Sequence, residues 1–130
     1  MKRAMFILYV ADQQRSRDFY RAVLAVEPSL DVPGMTEFPL LEGSTLGLMP
    51  EQGIKNLLGD SLPNPTAANG TPRAELYLVI DNAASYHQRA LEGGGQEVNP
   101  MAERPWGDRV GYSLDPDGHV LAFAEPVQGS

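Results

Sequence analysis

The chain contains no cysteine, and only one tryptophan and two histidines stand among its 130 residues. The absence of cysteine excludes a disulfide framework, a thiol nucleophile and a zinc-thiolate site, and nothing indicates an oxidising compartment. The two histidines, His87 and His119, do not have the spacing of a metal-binding pair. The composition therefore offers few groups for thiol chemistry or for a histidine-rich metal centre.

Basic residues are also scarce, with 10 Lys and Arg against 17 Asp and Glu and a net charge of −7. Phosphate binding requires a basic face, so this balance argues against a nucleic-acid partner and mildly favours a cationic ligand. About eight apolar residues separate Arg3 from Asp12, too few for a signal peptide or a membrane span. We therefore expect a soluble cytoplasmic protein with no nucleic-acid or membrane partner.

Motifs of several common enzyme classes are missing. The sequence has no Gly-x-Ser-x-Gly nucleophile turn and no phosphate-binding glycine loop. The run Gly93-Gly-Gly95 follows a predicted helix, where it indicates a helix C-cap and a turn. His87, in the middle of that helix, is expected to face solvent. No catalytic residue is assigned on these grounds.

The first half of the chain predicts one strand, one helix and three strands. Residues 3–10 have the composition of a strand, and Asp12 is placed to cap a helix over 13–25. Within that helix apolar residues recur every three or four positions. Three short strands follow at 27–32, 35–41 and 45–49. The helical stripe consists of Phe19, Tyr20, Val23 and Leu24.

The same order returns after a Pro- and Gly-rich connection. Residues 73–80 predict a strand, Asp81 a second cap, and 83–92 a helix; three strands follow. The last two form a hairpin around the turn Asp115-Pro-Asp-Gly118. Because Leu8 to Asp12 can be laid over Tyr77 to Asp81, we predict an internal repeat. The interpretation is one domain, 1–130, with module 1 at about 1–50, a linker at about 51–72 and module 2 at about 73–128.

This arrangement resembles the vicinal-oxygen-chelate superfamily, which includes glyoxalase I, extradiol dioxygenases and bleomycin-resistance proteins. The resemblance rests on Ser16-x-x-Phe19-Tyr20 in the first helix, on Trp106-Gly-Asp-Arg, and on Asp115-Pro-Asp-Gly-His in the final hairpin. It implies an α+β fold in which two βαβββ modules form a curved, cleft-bearing mixed sheet with helices on its convex face. It also implies a homodimer.

The resemblance further implies four positions at which metal-dependent members carry His, Glu or Gln ligands. By alignment these positions fall at or beside Met5, Gly47, Ala74 and Ala122, none of which supplies an imidazole or a carboxylate. Divalent metals that activate water or polarise a carbonyl need nitrogen or oxygen donors. We therefore expect no metal and no other cofactor. A slip of one residue would bring Glu75 to the third position.

The sheet face that carries these four positions could instead form an apolar site for an organic ligand. If Met5 points into the cleft, strand alternation adds its neighbours two and four residues on, and Ala122 marks the last strand. A tryptophan in a Pro-Trp-Gly loop and an arginine beside it complete the set. The predicted ligand-binding residues are Met5, Ile7, Tyr9, Phe38, Gly47, Met49, Trp106, Arg109 and Ala122.

The leading functional interpretation is a metal-free protein of the bleomycin-resistance type that sequesters a small aromatic or cationic compound. Other interpretations stay open. One is a glyoxalase-like lyase or isomerase that holds its metal through Glu75 with His119, and another is a metal-free catalyst using Tyr9 or Tyr112 as the acid. A third is a subunit that only associates with another protein. The lining side chains could equally fill a core, and Arg109 could pair with a carboxylate.

Overall fold

The computed structural model describes residues 1–127, which form two four-stranded mixed sheets with helices. The expected α+β fold with two βαβββ modules is confirmed. The chain divides into two compact units, the first holding strands β1 to β4 and the second holding β5 to β8. The expected end of module 2, near residue 128, lies outside the described residues.

The first unit contains a sheet of order β1-β4-β3-β2. Its edge strand β1 runs parallel to β4, and the other neighbours are antiparallel. The elements are β1 (Ala4–Val10), α1 (Gln13–Leu24), β2 (Leu30–Val32), β3 (Met35–Pro39), β4 (Ser44–Pro50) and α2 (Glu51–Leu58). The connection expected at about 51–72 thus begins with α2, and two 3₁₀ turns follow at Gly59–Ser61 and Pro65–Ala68.

Helix α1 forms as its pattern predicts. The carboxylate of Asp12 accepts a hydrogen bond from the backbone N–H of Arg15 at 3.0 Å and caps the helix start. The four residues of the apolar stripe are buried. The helix ends at Leu24, before Pro28, with Ala25 in the left-handed conformation at φ 56°.

The second unit repeats this architecture with a sheet of order β5-β8-β7-β6. Its edge strand β5 runs parallel to β8, and β8, β7 and β6 are antiparallel neighbours. The elements are β5 (Glu75–Val79), α3 (Ala83–Glu92), β6 (Gln96–Glu103), β7 (Asp108–Leu114) and β8 (Val120–Pro126). The order of strands is therefore the same in both units.

The predicted cap of α3 is wrong by one residue. Asn82, at φ 59°, is the N-cap of α3, and its side chain makes no capping bond. Instead Oε1 of Glu125, on β8, accepts a hydrogen bond from the backbone N–H of Ala83 at 2.6 Å. In the internal repeat the two N-caps correspond, so Asp12 aligns with Asn82 and not with Asp81. With this shift of one residue, Met5 corresponds to Glu75 instead of Ala74.

The final hairpin has the predicted turn. The backbone N–H of Gly118 donates to the carbonyl of Asp115 at 3.0 Å. The Asp115 carboxylate also accepts from the backbone N–H groups of Asp117 and His119. Gly118 adopts φ 90°, and a Cβ there would lie 2.6 Å from the carbonyl oxygen of Gly70. Glycine is required at this turn by both its conformation and its neighbour.

His87 does not face solvent as expected. It is 4% exposed, and its Nε2 lies 2.9 Å from Oε2 of Glu97 on β6. The helix α3 packs on β6, β7 and β8, and His87 belongs to the side that faces the sheet, together with Ala83 and Ala90. The prediction relied on the polar residues next to His87 in sequence. These do not lie on the same helix face as His87, because residues on one face are three or four positions apart.

No helix in the described part of the chain has the length and apolar character needed to cross a membrane.

Candidate functional site

Five of the predicted ligand-binding residues lie together on the face of the first sheet opposite α1. In the parallel ladder of β1 and β4, Ile7 is paired with Gly47 and Tyr9 with Met49. Paired residues share a face, and alternation places Met5 on the same side as Ile7. The side chains of Ile7 and Tyr9 are 41% and 37% exposed. We call this surface the Met5 face: Met5, Ile7, Tyr9, Gly47 and Met49.

Gly47 is the centre of the Met5 face because neighbouring side chains lie directly over it. A Cβ atom at Gly47 would be 3.1 Å from Cγ1 of Ile7, 3.3 Å from Sδ of Met35 and 3.4 Å from Cε of Met5. Two of these three atoms belong to flexible methionine side chains, and the third belongs to the β-branched, stiffer Ile7. Unbranched thioethers adapt to irregular shapes, so this part of the surface can change its contour around a ligand.

Two residues of this surface were missed by sequence reasoning. Met35 reaches Gly47 from β3, and Glu37 is the direct cross-strand partner of Gly47. The alternation of β3 puts both on the Met5 face, but the sequence alone did not specify the register that pairs β3 with β4. Met35 adds a third thioether to those of Met5 and Met49, out of five methionines in the chain.

Phe38 does not join the Met5 face. It is fully buried, and its ring centroid lies 6.5 Å from that of Tyr20 on α1. Beside it on β3, Thr36 accepts a hydrogen bond from the Gln13 side chain, also on α1. Because Phe38 and Thr36 share the helix side of β3, Phe38 is a core residue, and its expected role in ligand binding is withdrawn.

Ala122 lies on the corresponding face of the second sheet. It is paired with Tyr77 on β5 and with Tyr112 on β7. Together with Val110 and Ala124 it is fully buried, and Tyr112 packs against this cluster. We call this surface the Tyr77 face: Tyr77, Val110, Tyr112, Ala122 and Ala124. Ala122 is thus covered by larger side chains of its own sheet.

Trp106 is joined to the Tyr77 face by hydrogen bonds. Its indole Nε1–H donates to the phenol oxygen of Tyr77 at 2.9 Å, and that phenol donates to Oδ2 of Asp108 at 2.5 Å. Trp106 is 58% and Tyr77 36% exposed. Two aromatic side chains are therefore fixed at the surface beside a carboxylate.

Tyr77 is the titratable group of this cluster with a shifted pKa. Partial burial raises the pKa of Tyr77 above its usual value of 10.0, and the hydrogen bond to the negatively charged Asp108 raises it further. The hydrogen bond from Trp106 opposes the shift. Tyr77 therefore keeps its proton at neutral pH and holds it toward Asp108.

Arg109 lies apart from this cluster. It alternates with Asp108 and Val110 along β7, so its side chain is on the opposite side of the sheet from the Tyr77 face. Its cross-strand neighbours are Glu125 on β8 and Glu103 on β6. The position favours a role among surface charges over direct contact with a ligand on the Tyr77 face.

A cavity of about 390 Å³ lies elsewhere in the first unit, between the start of α1 and β2. Three of its polar lining residues, Gln13, Arg17 and Asp31, already have partners. Gln13 donates to Val32 and Thr36, and Arg17 is paired with Asp31 at 3.2 Å. These three side chains are therefore engaged with the protein itself.

A family model described as a glyoxalase-like domain matches residues 3–128. The chain belongs to the glyoxalase-like domain family. An uncharacterized protein of Mycobacterium bovis is 31% identical over 126 residues, which cover 93% of this chain and 81% of the relative. The family assignment agrees with the vicinal-oxygen-chelate resemblance.

Solved structures have the same fold. A glyoxalase-related enzyme from Fulvimarina pelagi is 24% identical with a TM-score of 0.79, over 94% of this chain and 86% of that one. A glyoxalase/bleomycin resistance protein/dioxygenase from Nocardioides is 22% identical with a TM-score of 0.71, over 98% and 84%. At these identities the likeness concerns the fold.

The metal positions of this glyoxalase-like chain are poor in donors. Alternation on β5 places Glu75, two residues before Tyr77, on the Tyr77 face, so the carboxylate replaces Ala74 at the third position. The other three positions carry the thioether of Met5, a glycine and an alanine. Among residues 1–127 no group of three or more His, Cys, Asp or Glu could hold a metal ion. The residues present do not fit the metal that the superfamily implies.

The pair formed by Glu75 and His119 does not change this result. Glu75 is paired with Val120, the residue after His119, so both lie at the same end of the β5–β8 ladder. They supply at most two donors, and the backbone N–H of His119 is bonded to the Asp115 carboxylate within the turn. A catalytic divalent metal ordinarily has three protein ligands.

Proposed function

We propose that this glyoxalase-like protein binds a small aromatic or cationic organic molecule without a metal and sequesters it unchanged. The observation that carries the proposal is the chemistry of the Met5 face, where flexible apolar side chains lie over Gly47 at a position where metal-dependent relatives carry a ligand. A shape-tolerant apolar surface favours binding by area burial, at about 25 cal/mol per Å². A structural neighbour carries the joint name glyoxalase/bleomycin resistance protein/dioxygenase, so the fold is compatible with this type of function.

The contact distances at Gly47 support an adaptable site. The three atoms nearest to the hypothetical Cβ include Cγ1 of Ile7, and the other two, Sδ of Met35 and Cε of Met5, belong to flexible thioether side chains. A flat ligand would displace them by rotation about their own torsions, without moving the strands. Glu37, beside Gly47, would then offer one negative charge to a cationic substituent.

The first experiment is a calorimetric titration of chelator-stripped protein with Ni²⁺, Zn²⁺, Mn²⁺ and Fe²⁺, beside a glyoxalase assay. We expect no stoichiometric binding of any of them and no turnover. A thermal-shift screen of cationic antibiotics and aromatic metabolites on the same preparation should yield saturable ligands. Tight metal binding with lyase activity would refute the metal-free proposal and restore the lyase interpretation.

A matched pair of variants locates the ligand. Ile7→Gln places a polar group on the Met5 face, whereas Leu57→Gln makes the same change at a residue of α2 that is 71% exposed. Full burial of an isoleucine side chain is worth about 1.5–3 kcal/mol, and Ile7 is 41% exposed, so covering it is worth about 0.6–1.2 kcal/mol and Ile7→Gln should weaken ligand binding about three- to eightfold. Leu57→Gln should leave the affinity unchanged, and an equal loss in both variants would place the ligand elsewhere.

The homodimer remains a prediction. Light scattering on the same preparation measures the mass directly, and a monomer at all concentrations used for ligand binding would contradict it.

A further inference from the structure

The side chain of Tyr77 spans a neighbouring strand. Tyr77 stands on β5 and its hydrogen-bond partner Asp108 on β7, while β8 lies between these two strands. The tyrosine must therefore cross β8, on the face where β8 presents Ala122 and Ala124. Two alanines leave the room that a phenol ring needs at this point. The alanines of β8 thus allow Tyr77 to reach Asp108 across the strand.

Both side-chain donors of this arrangement are engaged in hydrogen bonds. The indole N–H of Trp106 donates to Tyr77, and the phenol O–H of Tyr77 donates to Asp108. A phenol oxygen accepts through two lone pairs, so one remains after the bond from Trp106. Asp108 contributes a second carboxylate oxygen, Oδ1, for which the described residues show no partner. The cluster thus presents acceptors only.

The surroundings of these acceptors are aromatic and acidic. Trp106 and Tyr77 expose ring surface, and Glu75 stands two residues from Tyr77 on the same face of β5. The guanidinium of Arg104 lies 5.3 Å from the centre of the Tyr112 ring, and its Nη2 donates to Asn99 and to the carbonyls of Pro100 and Val110. Its Nε is buried and has no partner among the described residues. Aromatic rings and carboxylates both attract a cation, whereas the side-chain donors of Trp106 and Tyr77 are already committed and are not available to an anion.

We propose that the Tyr77 face is by itself a binding site for an organic cation, an amidinium, guanidinium or alkylammonium group held between the Trp106 and Tyr77 rings and the Asp108 carboxylate. This inference rests on the proposed function, metal-free binding of a small organic molecule, and names the chemical class that this face takes. The cation donates hydrogen bonds to Oδ1 of Asp108 and to the free lone pair of Tyr77. An uncharged or anionic group of equal shape binds more weakly at this point.

The test compares benzamidine, which is a cation at neutral pH, with benzamide, its uncharged analogue of nearly equal shape. Because Trp106 is the single tryptophan, the change in its fluorescence reports binding on this face. We expect benzamidine to give a saturable change with an affinity at least about tenfold higher than that of benzamide, the usual effect of charge on a hydrogen bond. Equal affinities, or no saturable response to benzamidine, would overturn the inference.

Asp108→Asn separates charge from shape, since the amide oxygen can still accept from Tyr77. We expect this variant to lose the preference for benzamidine, while Asp60→Asn, which removes an exposed charge in the first unit, keeps it. Preserved preference in Asp108→Asn would contradict the role of the carboxylate. If benzamide binds as well as benzamidine, the ligand class is wrong but the proposed function stands. If the wild-type protein also binds nothing in the thermal-shift screen, the proposed function fails as well.

Discussion

Nδ1 of His87 lies so close to Gly111 that a Cβ atom on this glycine would stand 2.8 Å from it. Gly111 is on β7, and its missing side chain provides the space into which the imidazole of α3 packs. On the other side of the ring, Nε2 contacts Glu97 at 2.9 Å. Within the described residues, Nδ1 has no hydrogen-bond partner. The close packing of His87 on β7 thus requires a glycine at position 111.

Gly111→Ala should therefore destabilise the second unit. The added methyl would meet His87 at 2.8 Å and Sδ of Met101 at 2.6 Å, below any ordinary contact. Overpacking of this kind costs about 1–3 kcal/mol of unfolding free energy, measurable by urea denaturation. In contrast, Gly53→Ala, whose Cβ would meet only ordinary contacts, should be neutral or stabilising. The double variant Gly111→Ala with His87→Ala should be less destabilised than the sum of the two single variants. If the losses of unfolding free energy simply add, the predicted clash between residue 111 and His87 is contradicted.

Local patterns predicted the parts of this fold that depend on near neighbours. The stripe of α1 and its Asp12 cap are separated by a few residues, and the Asp115 to Gly118 turn is contained in four. The predictions failed where the partner is remote. Glu125 caps α3 from 42 residues away, and His87 is buried because of Gly111 on another element.

The candidate site shows the same division. Alternation along β1 correctly grouped Met5, Ile7 and Tyr9 on one face. The Tyr77 to Asp108 bond joins residues 31 apart, so no local pattern indicated it. Phe38 was misplaced because its strand has apolar residues in both phases, and the register that separates them is a property of the assembled sheet.

Stability at high pH should depend on Tyr77. Its pKa in the folded state is raised above 10.0 by burial and by Asp108, so folding favours the protonated phenol. This contribution is fully present below pH 10 and is lost as the pH rises through the folded pKa, because the unfolded state then releases the proton first. Tyr77→Phe should reduce the loss of stability above pH 10 in urea denaturation. If the unfolding free energies of the wild type and of Tyr77→Phe change in parallel from neutral pH to above pH 10, the raised pKa of Tyr77 is contradicted.

The same pKa can be observed directly. A difference titration of ultraviolet absorbance between wild type and Tyr77→Phe isolates the phenol of Tyr77. In Asp108→Asn the Tyr77 pKa should fall toward its ordinary value without reaching it, because burial, the larger cause, remains. Asp60→Asn should leave the Tyr77 pKa unchanged.

Ala25→Gly should stabilise the first helix. Ala25 ends α1 in the left-handed conformation at φ 56°, which costs an L-residue about 1–2 kcal/mol and glycine nothing. Since glycine also loses more backbone entropy on folding, the net gain should be about 0.5–1 kcal/mol in the unfolding free energy. Ala22→Gly, at an exposed position inside α1, should cost about 1 kcal/mol instead. A loss of stability in both variants would show that the C-cap is not strained.

Glu125 should stabilise the start of α3 from a distance. Its Oε1 accepts the backbone N–H of Ala83 at 2.6 Å, at a helix end whose own N-cap, Asn82, contributes no side-chain bond. A carboxylate here satisfies an otherwise unpaired donor and interacts favourably with the positive end of the helix dipole. Glu125→Ala should therefore cost about 1–2 kcal/mol in the unfolding free energy.

Two further variants test whether the capping bond or the charge matters. Glu125→Gln keeps an acceptor oxygen without the charge, so its loss should fall between those of the wild type and Glu125→Ala. Glu103→Ala removes an exposed carboxylate from β6 and should change little. Hydrogen exchange at the Ala83 amide gives the local readout, since protection there should drop selectively in Glu125→Ala. If Glu103→Ala costs as much, or if the Ala83 amide stays protected, Glu125 does not cap the helix.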